Sequence, residues 1–165
     1  MQLRESAAVA QGDDTQAAAK LAAAGQAGYD AYPRDCSHSV WVMLQQMGVA
    51  EPYRVANDIM AHLASRNSGW HQVSVEEAGR LANGGKVVIG GLANSGGSGH
   101  VLMVMPGASR SAGGFAGMRR QGSYPLSASG AASSWPGARS RGEKTVRDPW
   151  SNTDWPSVTF WTKDK

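Results

Sequence analysis

The chain of 165 residues holds one cysteine, Cys36. A single thiol excludes an intrachain disulfide and a zinc site built on paired thiolates, and leaves the sulfur as core filler or as a reactive group. Large aliphatics are scarce as well. Leu, Ile, Val and Phe together number 25, and another 25 of the apolar residues are Ala, so the core must be small. So low an aliphatic share signals disorder only when the net charge is also high, and here it is +3. Six Trp and seven Met supply the missing bulk. No apolar run approaches the ~20 residues of a membrane-spanning helix. The first residues carry Arg4, Glu5, Asp13 and Asp14 without the apolar stretch of a secretory signal, so none is expected. The length suits one domain over residues 1–165.

What charge there is sits in one place. Residues 107–144 carry five Arg and one Lys against one Glu, a net +5, and account for most of the basic pI near 9.2. This Gly/Ser/Ala-rich stretch reads as a long loop region, either disordered or acting as a lid, that could serve an anionic polymer. It lacks the aromatic interleaving or recognised motif of a nucleic-acid binder, so no nucleic acid is expected.

Hydrophobic spacing predicts helices first and strands afterwards. Residues 15–27 are Ala-rich and helix-forming. Cys36, Val40, Met43, Leu44 and Met47 line one helix face, with Asp35 placed to cap its start and Gly48 its end. Val55, Ile59 and Leu63 suggest a helix over 53–64, and Ser74 with Glu77 forms a capping-box pattern for another that stops near Asn83 and Gly84. Residues 86–92 and 100–105 are then short β-branched runs that read as neighbouring strands buried on both faces, and further strands are suggested at 121–129, 144–148 and 157–162. Segregated helices and strands imply an α+β fold, an antiparallel sheet against a helical layer.

Cys36 falls in the first turn of its helix, where free backbone N–H groups and the helix dipole favour a thiolate and can hold an oxyanion. The bland alternative is a small cysteine packed beside Val40. A nucleophilic thiol needs a base, and there are four histidines. His38 lies two residues on and projects about 200° away. His62 and His71 read as surface residues. His100 follows Gly99 at the start of a strongly apolar strand, where a polar ring needs a specific partner. Cys36 and His100, 64 residues apart, fit the division of labour of a cysteine hydrolase with rigid nucleophile and rigid base. The spacing is not that of papain, whose histidine follows at ~130–150 residues.

The segments D-C-S-H-S-V-W-V (35–42), V-V-I-G-G-L (87–92) and G-H-V-L-M-V-M-P-G (99–107) resemble the NlpC/P60 papain-like superfamily of peptidoglycan amidases. Within it, together with Y-P-L-S-A-S-G (124–130) and W-S-N-T-D (150–154), the chain is similar to the first family of type VI secretion amidase effectors. The resemblance covers residues 32–162. It implies a papain-like fold, cleavage of the γ-D-glutamyl–meso-diaminopimelate bond of the peptidoglycan stem peptide, and no metal or organic cofactor. It also implies delivery from the cytoplasm to the periplasm of a rival by type VI secretion components, and a cognate immunity protein over the cleft; a monomer is expected. Catalysis would use Cys36, His100 and a third group that orients the imidazole. Ser129 lines up best with that position, and Ser127 and Asp148 are the alternatives. One departure is His38, where the superfamily often has glycine. Two other readings stand beside this one: a crosslink-cleaving or housekeeping wall amidase with the same dyad, and a non-catalytic wall or polyanion-binding module held by Arg119, Arg120, Arg139 and Arg141.

Overall fold

A computed structural model describes residues 2–113, 122–132, 135 and 137–163, with side chains from residue 15 onward. Helix α1 (Gln2–Ala31) leads through a tight turn into α2 (Cys36–Gln46), followed by α3 (Ala56–Ala64), strand β1 (Trp70–Val73) and α4 (Val75–Asn83). Strands β2 (Val88–Leu92), β3 (His100–Ser111), β4 (Ser123–Ser129) and β5 (Ser140–Thr145) come next. A single 3-10 turn (Trp155–Ser157) precedes β6 (Thr159–Lys163). The strands form one six-stranded sheet in the order β1-β6-β2-β3-β4-β5, with every neighbouring pair antiparallel. The fold is α+β. Among the described residues no helix is long and apolar enough to cross a membrane.

The local signals for the helices act as chemistry requires. Asp35 caps α2 by accepting the His38 N–H at 3.1 Å, and Gly48, at φ 73°, lets the chain leave the helix while Val49 N–H reaches back to Leu44 O. Ser74 accepts the Glu77 N–H at 3.1 Å to start α4, but the Glu77 carboxylate pairs with Arg80 and does not return to the cap, so only half of the capping box forms. Helix α3 begins at Ala56, later than its apolar spacing predicts, because Val55 stays extended.

The core lies where helices meet the central strands. Residues 100–105 of β3 are all buried, as a strand covered on both faces must be, and Ile89, Val40, Met43 and Leu21 are sealed around them. Helices α1 and α2 approach so closely at Gly28 that an added Cβ would lie 2.4 Å from Ser39 O. Only glycine fits there.

Three expectations need correction. The basic region 107–144 is not one loop: the strand expected at 121–129 is present as β4, and the region also contributes the end of β3 and most of β5. Strand β4 is poor in β-formers, but it is held by ladders to β3 on one side and β5 on the other, and tertiary pairing overrides its propensity. Residues 114–121 of that region lie outside the described residues, as do Arg119 and Arg120. The strand expected at 144–148 sits earlier, because Asp148 accepts the N–H and hydroxyl of Thr145 and closes residues 146–149 into a turn. His62, expected at the surface, is half-buried in α3 with Nε2 3.4 Å from Glu51 Oε2, whereas His71 is exposed as expected and lies on β1, which pairs along the edge of β6.

One half-buried carboxylate ties the C-terminal strand to the segment before α3. Glu51 accepts from Lys163 Nζ at 2.7 Å, Trp70 Nε1 at 3.0 Å and Arg54 Nη1 at 3.2 Å. Burial raises its pKa, but these donors outweigh burial and hold it at about 2. The anchor presents the neighbouring residues Tyr53 and Val55 to the cleft described next.

Candidate active site

Cys36 is the first residue of α2 and is half-buried. His100 is the first residue of β3 and is 1% exposed. Both line one cleft of about 540 Å³, walled also by Tyr53, Asn57, Gly99 and Trp135. The thiol lies against the backbone N–H of Val101, the residue that follows His100, and against the N–H groups of Ser37 and Cys36 itself. Helix start and strand start therefore meet at the sulfur.

The α2 N-terminus shows how its orphan donors are used. Asp35 Oδ1 takes the His38 N–H, and Asp35 O takes the Ser39 N–H at 3.0 Å. That leaves the N–H groups of Cys36 and Ser37 without an acceptor within the helix, beside the sulfur.

The electrostatics differ from the sequence expectation. Burial pushes the Cys36 thiol up from its ordinary value; the Val101 N–H acts against this, Asp35 adds to the rise, and the N–H groups of Ser37 and Cys36 lower it without restoring it. The helix start was expected to depress the thiol, but desolvation is the larger effect. Burial likewise lowers His100 to about 3. The pair therefore rests as neutral thiol and neutral imidazole near pH 7.

His100 is held by rings. Its centroid lies 4.9 Å from Trp135 and 5.6 Å from Trp150, and these two indoles meet edge to face at 6.1 Å. Each is fixed by its own N–H, Trp135 to Pro149 O at 2.9 Å and Trp150 to Val146 O at 3.0 Å. Among the described residues Nε2 of His100 has no hydrogen-bond partner.

None of the three expected orienting groups donates to or accepts from that imidazole. Ser129 has a single hydroxyl proton, and it is directed at Val101 O (2.7 Å) and Gly130 O (2.9 Å). Ser127 Oγ reaches only Lys144 O at 3.5 Å, and Asp148 is consumed by Gly113 N–H and Thr145. Ser129 instead helps seat the chain beneath the nucleophile. The adjacent Gly130 N–H donates to Ser39 Oγ at 2.9 Å, and a Cβ on Gly130 would sit 2.0 Å from Tyr32 O. The turn before α2 thus rests on bare backbone.

Two further groups were not singled out by sequence. Asn57 of α3 bonds the backbone of Asn94 and Gly97, fixing the loop that leads into His100. Tyr32 and Tyr53 sandwich His38 at centroid distances of 4.9 and 4.0 Å, while His38 Nδ1 lies 2.5 Å from Asp35 Oδ2. Burial raises the Asp35 carboxyl, but the His38 N–H, the His38 ring and the Ser37 hydroxyl together bring it below its ordinary value. Asp35 followed by His38 is a visible capping pair; Tyr32 comes from the turn just before α2 and Tyr53 from the segment that leads into α3.

Of the arginines assigned to polyanion binding, Arg141 is committed to Asp30 through two 2.9 Å bonds, and Arg139 is half-buried. No protein-family model matches the chain, and a search of curated proteins gives no match.

Proposed function

We propose that this protein is a cysteine amidase of the papain-like NlpC/P60 kind that cleaves the γ-D-glutamyl–diaminopimelate bond of the peptidoglycan stem peptide. The observation that carries the reading is the convergence of Cys36 and His100 on one open cleft, with the sulfur against Val101 N–H. The bond assignment, delivery by type VI secretion into a rival's periplasm and the neutralising immunity protein rest on the resemblance of residues 35–42, 99–107 and 124–130.

Starting from a neutral pair, His100 removes the Cys36 proton as the sulfur attacks the γ-carbonyl carbon. The oxyanion faces the N–H groups of Cys36 and Ser37. The C–N bond then breaks and the imidazolium gives its proton to the departing diaminopimelate amine. Water, deprotonated by His100, attacks the thioester; the C–S bond breaks and the sulfur regains a proton.

Digestion of purified peptidoglycan with mass analysis of the fragments tests this. Disaccharide-dipeptides ending in L-alanyl-D-glutamate are expected with the native protein and not with Cys36→Ala. Release of intact tetrapeptide stems would assign the protein to crosslink cleavage, and an inert native protein would favour the binding module.

A further inference from the structure

We propose that Arg34 is the carboxylate-recognition residue of this cleft, so that the acyl donor must carry an anionic group beside the scissile carbonyl. The inference rests on the amidase reading and names the feature of the substrate that the site selects.

The cleft wall contains two charged residues among those described, Arg34 and Asp35. Asp35 is fully committed. Its Oδ1 accepts from Ser37 Oγ at 2.9 Å and from His38 N–H, and its Oδ2 faces His38 Nδ1. His100 is kept neutral by its burial. Arg34 is exposed and has no ion pair or hydrogen bond from its guanidinium to any described residue. Asp35 keeps its charge but its oxygens are turned to Ser37 and His38. The Arg34 guanidinium is therefore the one charged group of the cleft wall, among the described residues, whose donors are all free for a ligand, and the N–H groups at the start of α2 add to its pull on an anion.

That charge is presented from a fixed backbone. Ala131 N–H donates to Pro33 O at 3.1 Å, Asp35 N–H to Tyr32 O at 3.3 Å, and Gly130 packs too closely against this turn to admit a side chain. Arg34 and Cys36 stand two residues apart, at most about 7 Å between Cα atoms, so the guanidinium can reach a group a few bonds from the attacked carbon. A γ-linked D-glutamate offers such a group: the carbon of its free α-carboxylate lies four carbon–carbon bonds from the scissile carbonyl carbon, and guanidinium binds carboxylate bidentately.

The test compares soluble disaccharide-peptides carrying D-glutamate with the same peptides carrying D-isoglutamine, whose α-carboxamide removes only the charge. The native enzyme should cut the glutamate form with kcat/KM at least about tenfold higher. Arg34→Gln, checked for an unchanged thermal midpoint, should lower the glutamate rate to the isoglutamine level and leave the isoglutamine rate alone. A second readout needs no turnover: L-alanyl-γ-D-glutamate should slow iodoacetamide alkylation of Cys36 in the native protein and not in Arg34→Gln. Cleavage of both peptides at equal rates, or equal losses on both in Arg34→Gln, overturns the role of Arg34 while the amidase stands. If neither peptide is cut but the dipeptide still protects Cys36 through Arg34, the amidase reading fails and the anion site survives. Absence of protection in the native protein overturns the site.

Discussion

Asn57 and Asn94 hold each other reciprocally: Asn57 Nδ2 donates to Asn94 O at 3.0 Å while Asn57 Oδ1 accepts the Asn94 N–H at 2.9 Å. A third bond runs from Nδ2 to Gly97 O at 2.9 Å, and the same Oδ1 lies 2.4 Å from where a Cβ on Gly99 would stand. The Gly/Ser-rich loop before His100 is short of side chains that could order it, so α3 supplies the order from outside.

Asn57→Ala should therefore free that loop while sparing the core. We expect a loss of about 1–3 kcal/mol in stability for the unpaired groups, and a fall in kcat together with a rise in KM, since the loop that Asn57 fixes both leads into His100 and walls the cleft. Asn57→Asp keeps the acceptor and loses both donor bonds, so it should recover only part of the rate. Steady-state kinetics with a soluble stem peptide, together with a denaturant melt, check both statements. Unchanged kcat in Asn57→Ala would show that the loop orders itself.

Cys36→Ala should abolish wall hydrolysis with little effect on the fold. His100→Ala should abolish it as well but also destabilise, because it empties space enclosed by Trp135 and Trp150 at a cost of about 2–4 kcal/mol. The double variant should be no less active than either single one, because the two residues act as a unit. Residual activity above a few per cent in Cys36→Ala, measured by release of soluble fragments, would remove the thiol from the mechanism.

The burial of His100 makes stability depend on pH in a defined window. Its folded pKa, about 3, lies below the ordinary 6.5, so the unfolded chain binds the proton first and stability falls as pH drops from 6.5 toward 3. The slope contributed is up to about 1.4 kcal/mol per pH unit. The shifted carboxylates have ordinary values of 3.8 and 4.5, so between pH 6.5 and 4.5 His100 is the main shifted group that titrates. Chemical denaturation at pH 6.5, 5.5 and 4.5 should show this decline in the native protein. It should be flattened in His100→Gln, and a parallel decline in both would place the proton elsewhere.

Glu51 governs a lower window. Held at about 2 against an ordinary 4.5, it contributes stability above pH 4.5 that is lost as pH falls toward 2. Glu51→Ala leaves Lys163, Arg54 and Trp70 without their acceptor and should cost about 3 kcal/mol near pH 7. The penalty should shrink in acid, where the native carboxyl is itself protonated. Thermal melts of both proteins at pH 7 and pH 3 measure the difference, and a constant gap would argue against the ionic network.

The sequence alone determined the elements that bear the site, because their signals are local. Asp35 caps the very helix whose first residue is Cys36, Gly48 ends it, and the apolar run after Gly99 becomes a buried central strand headed by His100. Caps and periodicity act within about four residues, so they can be read in order along the chain. The short β1 escaped because Trp70–Val73 is a strand only through its pairing with β6. The partners within the site were decided by tertiary structure. The hydroxyl of Ser129 goes to a carbonyl 28 positions away, the loop before His100 is held from 37 positions away, and the charge of Arg34 is left unpaired when Asp35 turns to Ser37 and His38. The sign of the Cys36 shift changed for the same reason. A helix start favours a thiolate locally, but desolvation is set by everything packed around the sulfur. No spacing along a chain records how much water is excluded.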